Sequence, residues 1–164
     1  NQKWLTDVTE FKYYIGIEVH KVYLSAILDL YDRRIVKFVI GDSNNNALVF
    51  NTFDAAIMDN PGATPLCHSD RGFQYTSRMF HAKLEAAGMS QSMSRVAKCI
   101  DNGPMEGFWG ILKRERYYGK RFTDRESLVM MIENYIDYYN HRRLQRNLGV
   151  LTPIEKHNQY LAVA

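Results

Sequence analysis

The chain has 164 residues, 46% hydrophobic and 24% charged, with a formal charge of +3. That is enough for one domain with a true core and too little for two comfortable ones. No apolar run approaches the roughly 20 residues of a membrane span, and the opening Asn-Gln-Lys-Trp-Leu-Thr-Asp carries no apolar stretch of the secretory kind.

Lys3 to Glu10 alternates around Trp4, Thr6 and Val8 and reads as a strand. Val22 to Leu30 and Ile35 to Ile40 are further apolar runs, joined by a turn at Asp32-Arg33-Arg34. The short connections predict an antiparallel meander. Gly41 to Asn46 breaks the pattern and offers helix caps. A helix should follow with Val49/Phe50, Phe53 and Ala56/Ile57 on one face, ended by Asn60-Pro61-Gly62. Leu66 to Ser69 reads as a short buried strand. The next helix runs from about Ser77 to Ala87 and stops at Gly88.

Met89 to Met93 alternates and reads as a strand; Ser94 to Gly103 reads as an irregular loop. Pro104 then opens a helix with Met105, Phe108, Trp109 and Leu112 on one face. Thr123 with Glu126, and Thr152 with Glu155, look like capping boxes for two last helices. The first of these carries Leu128, Ile132, Tyr135, Ile136 and Tyr139 inward. Strands, then helix–strand–helix–strand, then helices give an α/β domain with a mixed sheet flanked by helices. Cys67 and Cys99, far apart in sequence, make neither a disulfide framework nor a zinc knuckle and point to a reducing compartment.

Three acids stand where packing does not call for them. Asp7 lies inside a strand, Asp70 directly follows Leu66-Cys67-His68-Ser69, and Glu106 lies in the first turn after Gly103-Pro104, with 35 residues between the latter two. Converging carboxylates repel by roughly 4 kcal/mol per pair at 4 Å and an effective dielectric near 20. A hard divalent cation removes that cost. Taken singly, the plainer readings weigh more: a strand or turn residue, a turn former, and an acid answering a helix dipole. His68 reads as a satisfied, partly buried histidine rather than a metal ligand.

From Lys113 to Arg146, nine Lys and Arg face five Asp and Glu, a local +4 that suits a polyanion or, equally, a solvated surface. Tyr117 and Tyr118 are interleaved with Lys113, Arg114, Arg116, Lys120 and Arg121, a mixture that fits backbone charge plus stacking, or tyrosines half-buried against the core.

Four segments carry a resemblance. They are Trp4-Leu5-Thr6-Asp7-Val8-Thr9-Glu10; His68-Ser69-Asp70-Arg71-Gly72-Phe73-Gln74-Tyr75; Ser92-Met93-Ser94 leading into Asp101-Asn102-Gly103-Pro104-Met105-Glu106; and Tyr139-Asn140-His141-Arg142-Arg143 with Thr152-Pro153-Ile154-Glu155. Together they resemble the integrase-like core of bacterial insertion-sequence transposases, kin of retroviral integrase, over residues 3 to 158. Gly107, where a small or polar residue is usual, and Gly103, where alanine often stands, depart from that pattern.

The resemblance implies a ribonuclease H-like fold, a five-stranded mixed sheet with helices on both faces. It implies Asp7, Asp70 and Glu106 as the catalytic, metal-binding acids, using Mg²⁺ or Mn²⁺. Lys113 would engage DNA from the face of Glu106, seven positions on, joined by Arg114, Arg116, Lys120 and Arg121. The expected activity is metal-dependent cleavage and strand transfer at transposon ends. The expected partners are the transposon ends, target DNA and further copies on that DNA, with no membrane, in the bacterial cytoplasm. Residues 1–164 then form a single core, a fragment lacking an upstream end-recognition domain. A ribonuclease H-type nuclease, a retroviral-type integrase and a catalytically silent DNA-binding core are the rival readings. The roles of Tyr139, Asn140, Arg142 and Arg143 are not legible at this level.

Overall fold

The computed structural model describes residues 1–93 and 103–163. Its centre is a five-stranded sheet of order β3-β2-β1-β4-β5. β1 (Lys3–Ile15), β2 (Glu18–Asp29) and β3 (Ile35–Gly41) form the expected antiparallel meander, while β4 (Leu66–Ser69) and β5 (Gln91–Met93) join in parallel. The helices are α1 (Asn46–Asp59), α2 (Arg78–Ala86), α3 (Gly103–Leu112), α4 (Arg125–His141) and α5 (Pro153–Leu161), with a π-helical turn over Lys113–Tyr117.

Side-chain alternation along β1 sorts these helices onto two faces. Leu5, Phe11 and Tyr13 enter one core with Met105, Phe108, Trp109 and Leu112 of α3 and Leu128, Ile132, Tyr135, Ile136 and Tyr139 of α4. Trp4 enters a second core with Val49, Phe50, Phe53 and Ala56 of α1 and Phe80 and Leu84 of α2. Asp7 shares the parity of Leu5 and Phe11, so it points to the α3 side.

Several boundaries differ from the sequence reading. β1 continues to Ile15 and β2 starts at Glu18, because the two pair without a break from Trp4↔Asp29 to Ile15↔Glu18. β5 starts at Gln91 rather than Met89. α4 is capped by Asp124, not Thr123: the Asp124 carboxylate accepts from the Ser127 amide at 2.6 Å and its hydroxyl at 2.8 Å. A carboxylate that takes both donors displaces the capping box expected one residue earlier. The box at Thr152 and Glu155 forms as expected. The loop expected over residues 94–103 lies outside the described residues except for Gly103, which belongs to α3.

The motif Tyr139-Asn140-His141-Arg142-Arg143 acquires physical roles. Tyr139 is buried with its ring against Phe108, centroids 4.7 Å apart. β3 is an edge strand, and Asn140 closes part of that edge: its Oδ1 accepts from the Ile35 amide at 2.9 Å and its Nδ2 donates to the Ile35 carbonyl at 3.0 Å. Arg143 donates from Nη2 to Glu115 at 2.7 Å, tying the end of α4 to the π-helical turn. Tyr135 donates its hydroxyl to the same carboxylate at 2.8 Å.

Candidate active site

Strand register explains how acids 63 residues apart in sequence meet. Thr6 of β1 pairs in parallel with Ser69, the last residue of β4. The next residues, Asp7 and Asp70, therefore leave neighbouring strands that lie about 4.8 Å apart. Asp7 remains inside β1, the central strand, while Asp70 stands exposed just past the end of β4. Its Oδ1 accepts from the Gly72 amide at 2.8 Å. A Cβ at Gly72 would meet that same oxygen at 3.0 Å and Gln74 Oε1 at 3.2 Å, so any larger residue there would push the Asp70 and Gln74 side chains aside. Gln74 in turn donates to Asn44.

Glu106 lies in the first turn of α3 and is exposed. One turn further on, Trp109 donates its indole N–H to Asp7 Oδ2 at 3.0 Å. α3 therefore carries one acid of the site and grips another. Sequence reasoning placed Trp109 in the apolar stripe of the helix and missed the polar end of its ring.

Burial raises the Asp7 carboxyl from 3.8 to about 6, against the lowering effect of the Trp109 and Val8 hydrogen bonds; the charges of Asp70 and Glu106 push it further upward. Both acids thus lie near enough to act on Asp7. Even so, among the described residues no group of three His, Cys, Asp or Glu side chains is close enough to hold one metal ion. Asp7 and Asp70 share one end of the sheet, with Glu106 over it, but the three carboxylates do not close into a single ligand shell. The donor set nevertheless suits a hard cation: three carboxylates, with no salt bridge to Asp7 among the described residues.

Beneath the acids, Tyr75 is fully buried, its hydroxyl 3.4 Å from Thr6 Oγ1, and burial pushes its phenol upward. His68 is buried with Nδ1 3.0 Å from Ser92 Oγ, the satisfied histidine expected. Cys67 is a buried free thiol that burial pushes up to about 12.

β4 is short, so the edge of β1 beyond Asp7 has no strand beside it. The π-helical turn and the chain after it cover that edge. Lys113 donates from Nζ to Thr9 Oγ1 at 2.8 Å and lies 5.1 Å from the Phe11 ring centroid. Burial lowers its ammonium pKa, while the charges of Glu10 and Asp7 raise it. Tyr117 is half-buried against Phe11 and accepts from the Lys12 amide at 2.9 Å; Tyr118 is exposed. Arg121 stacks 4.3 Å over Tyr14 and donates to the Gly16 carbonyl. Of the five basic residues singled out from sequence, Lys113 and Arg121 are therefore engaged internally. Arg114, Arg116 and Lys120 are exposed and have no ion-pair partner among the described residues.

A groove of about 660 Å³ between β3 and α4 lies away from this chemistry, at the sheet edge two strands from β1. No helix among the described residues is long and apolar enough to cross a membrane.

Models of the integrase core domain match residues 1–99 and 106–161. An uncharacterized transposase-like protein of Haemophilus influenzae is 42% identical over 98% of this chain and 73% of its own length. The putative transposase InsK for insertion sequence element IS150 of Escherichia coli is 39% identical over 97% of this chain; the chain spans only 55% of that protein. Among solved structures, the HTLV-2 integrase catalytic core domain in complex with magnesium superposes with a TM-score of 0.71 at 19% identity, covering 96% of both chains. The BIV integrase catalytic core gives 0.68 at 18% identity, over 97% of this chain and 98% of that one. The ribonuclease H-like fold is thus the one observed, and the chain belongs to the integrase core domain family, with insertion-sequence transposases among its relatives.

Proposed function

We propose that this chain is the catalytic core of a DNA transposase, cutting at transposon ends and joining them to target DNA, with Asp7, Asp70 and Glu106 as the residues that hold Mg²⁺ or Mn²⁺. One observation carries the reading. A carboxylate is desolvated in the middle of the central strand, two further acids add to its charge, and no cationic side chain forms a salt bridge with it among the described residues. Natural packing keeps such an arrangement where the missing positive charge comes from a ligand.

Each residue has a distinct task. Asp7 is the fixed ligand, oriented by the Trp109 indole. Asp70 is aimed by the Gly72 amide, and Glu106 approaches from α3. Divalent metal, when bound, supplies electrophilic activation of the phosphodiester and of the attacking oxygen. Lys113, held by Thr9 two residues beyond Asp7, places a positive charge beside the DNA backbone. Arg114, Arg116, Lys120 and Arg121 follow Lys113 along the π-helical turn and the chain after it and add further positive charge. The chemistry is two in-line displacements at phosphorus. Water first attacks the phosphodiester at a transposon end and frees a 3′ hydroxyl. That hydroxyl then attacks a target phosphodiester, releasing another 3′ oxygen and forming the new joint. The exposed basic side chains touch phosphates and carry no sequence information themselves.

The test is a strand-transfer assay with a pre-cut donor end in Mg²⁺ and Mn²⁺, alongside titration of the chain with Mn²⁺. Joining that needs metal and is lost in Asp7→Asn, Asp70→Asn and Glu106→Gln supports the reading. Cleavage without joining would make the protein a ribonuclease H-type nuclease. Absence of both Mn²⁺ binding and cleavage would leave a silent DNA-binding core.

A further inference from the structure

Arg116 and Lys120 do not merely decorate the surface. They share a cleft of about 220 Å³ with Met131, Asn134, Tyr135 and Tyr138, between the π-helical turn and α4. Three features make the cleft cationic. Glu115, the acid next to Arg116, is already answered by Arg143 at 2.7 Å and by the Tyr135 hydroxyl at 2.8 Å. Neither Arg116 nor Lys120 has an ion-pair partner among the described residues. Gly119, at φ +78, turns the chain so that the Lys120 amide bonds back to the Tyr117 carbonyl, which brings Lys120 over the same turn as Arg116.

We infer that this cleft binds one phosphodiester of the DNA backbone away from the reacting bond, with the adjoining sugar or base against Tyr138. The guanidinium offers paired N–H donors to two phosphate oxygens, and the lysine adds a point charge. The Asn134 amide supplies a neutral donor on the α4 wall. The half-buried Tyr138 ring is the stacking surface. At about 220 Å³ the cleft is smaller than the roughly 300–1,000 Å³ of small-molecule sites, so it takes a group on a larger ligand rather than a whole ligand. Its place follows from the strand beneath it. Tyr117, beside Arg116, bonds to Lys12, and the five residues from Asp7 to Lys12 advance about 17 Å along β1.

The inference rests on the reading of the chain as a DNA-acting core, and the experiment separates the two. Affinity for a random 30-base-pair duplex is measured at several salt concentrations for the wild-type chain, Arg116→Gln/Lys120→Gln, Tyr138→Leu, and a distant control, Lys156→Gln. The double variant should bind several-fold more weakly, with its log–log salt slope reduced by about one, the signature of one phosphate lost. Tyr138→Leu should weaken binding at an unchanged slope, and the control should match wild type. A double variant with the wild-type slope, or a control that loses as much, overturns the cleft while leaving the DNA reading intact. Wild-type chain that binds no duplex overturns both. Saturable binding of inorganic phosphate alone, abolished in the double variant, would make the cleft a small-anion site and overturn its assignment to backbone DNA.

Discussion

The indole N–H of Trp109 donates to Oδ2 of Asp7 across 3.0 Å, joining α3 to the central strand through an acid that burial makes hard to ionise. The bond lowers the Asp7 pKa and opposes desolvation. Trp109→Phe keeps a ring in the core and removes the donor. A hydrogen bond to a charged group contributes about 1.5–3 kcal/mol, so its loss should raise the pH needed for half-maximal Mn²⁺ binding by about one to two units. Trp109 acts here as a positioning residue. Superimposable pH profiles for variant and wild type would show that the bond orients nothing.

Asp7 also links pH to stability. Its folded-state pKa is raised to about 6 from 3.8, so the folded chain holds the proton more tightly than the unfolded one. The contribution is neutral below the unfolded value and becomes a penalty as pH climbs through about 6. A shift of about two units corresponds to a ceiling near 3 kcal/mol. Asp7→Asn should therefore stabilise the metal-free chain by about 1–3 kcal/mol at pH 8 and by little at pH 4, while abolishing strand transfer. Denaturant melts at both pH values check this; an equal effect at the two would break the linkage.

Gly72→Ala tests how Asp70 is aimed. The new methyl would stand 3.0 Å from Asp70 Oδ1, and that exposed side chain can swing away at little cost to the fold. Expected is a large drop in metal-dependent activity with a change in stability under about 1 kcal/mol. Activity within twofold of wild type would mean that the orientation of Asp70 is set elsewhere.

Asn140→Ala removes both hydrogen bonds to Ile35 and leaves a buried amide and carbonyl to find water at the edge of β3. The cost should be about 2–3 kcal/mol, read as a lower denaturation midpoint at an unchanged slope. A loss below about 0.5 kcal/mol would show that the edge is solvated without penalty.

DNA affinity should be salt-steep and sequence-blind. Arg114, Arg116, Lys120, Arg142 and Arg146 are exposed and have no ion-pair partner among the described residues, whereas Arg143 is held by Glu115. Three to five phosphate contacts imply a log–log slope of about −3 to −5. A salt-insensitive preference of tenfold or more for a transposon end over random duplex, about 1.4 kcal/mol, would show that the core reads bases.

Much of the fold was legible because its signals are periodic. The two-residue alternation of β1 and the inward stripe of α3 identify their elements and the faces they bury. Where several local choices compete, sequence is weaker. Thr123 and Asp124 are both good caps, and only the bonds to Ser127 decide between them. The π-helical turn leaves no pattern of its own. The three acids are proposed from their motifs, whereas the Trp109 bond was not legible, since an indole among apolar neighbours reads as core. The free and engaged cations of residues 113–121 look alike in sequence and are sorted only by Thr9, Tyr14 and Gly16.

The positions of the three acids within their elements differ in a way that bears on assembly. Asp7 is flanked on both sides by ladder residues of the central strand and can shift only if the sheet shifts. Asp70 follows the last residue of β4, and Glu106 stands in the opening turn of α3, both at element ends. Ends rotate at far lower free-energy cost than strand interiors. The carboxylates therefore comprise one anchored point and two adjustable ones. On the proposed reading, local rotation of the other two carboxylates alone would bring them to a cation held at Asp7, with both cores left as they are.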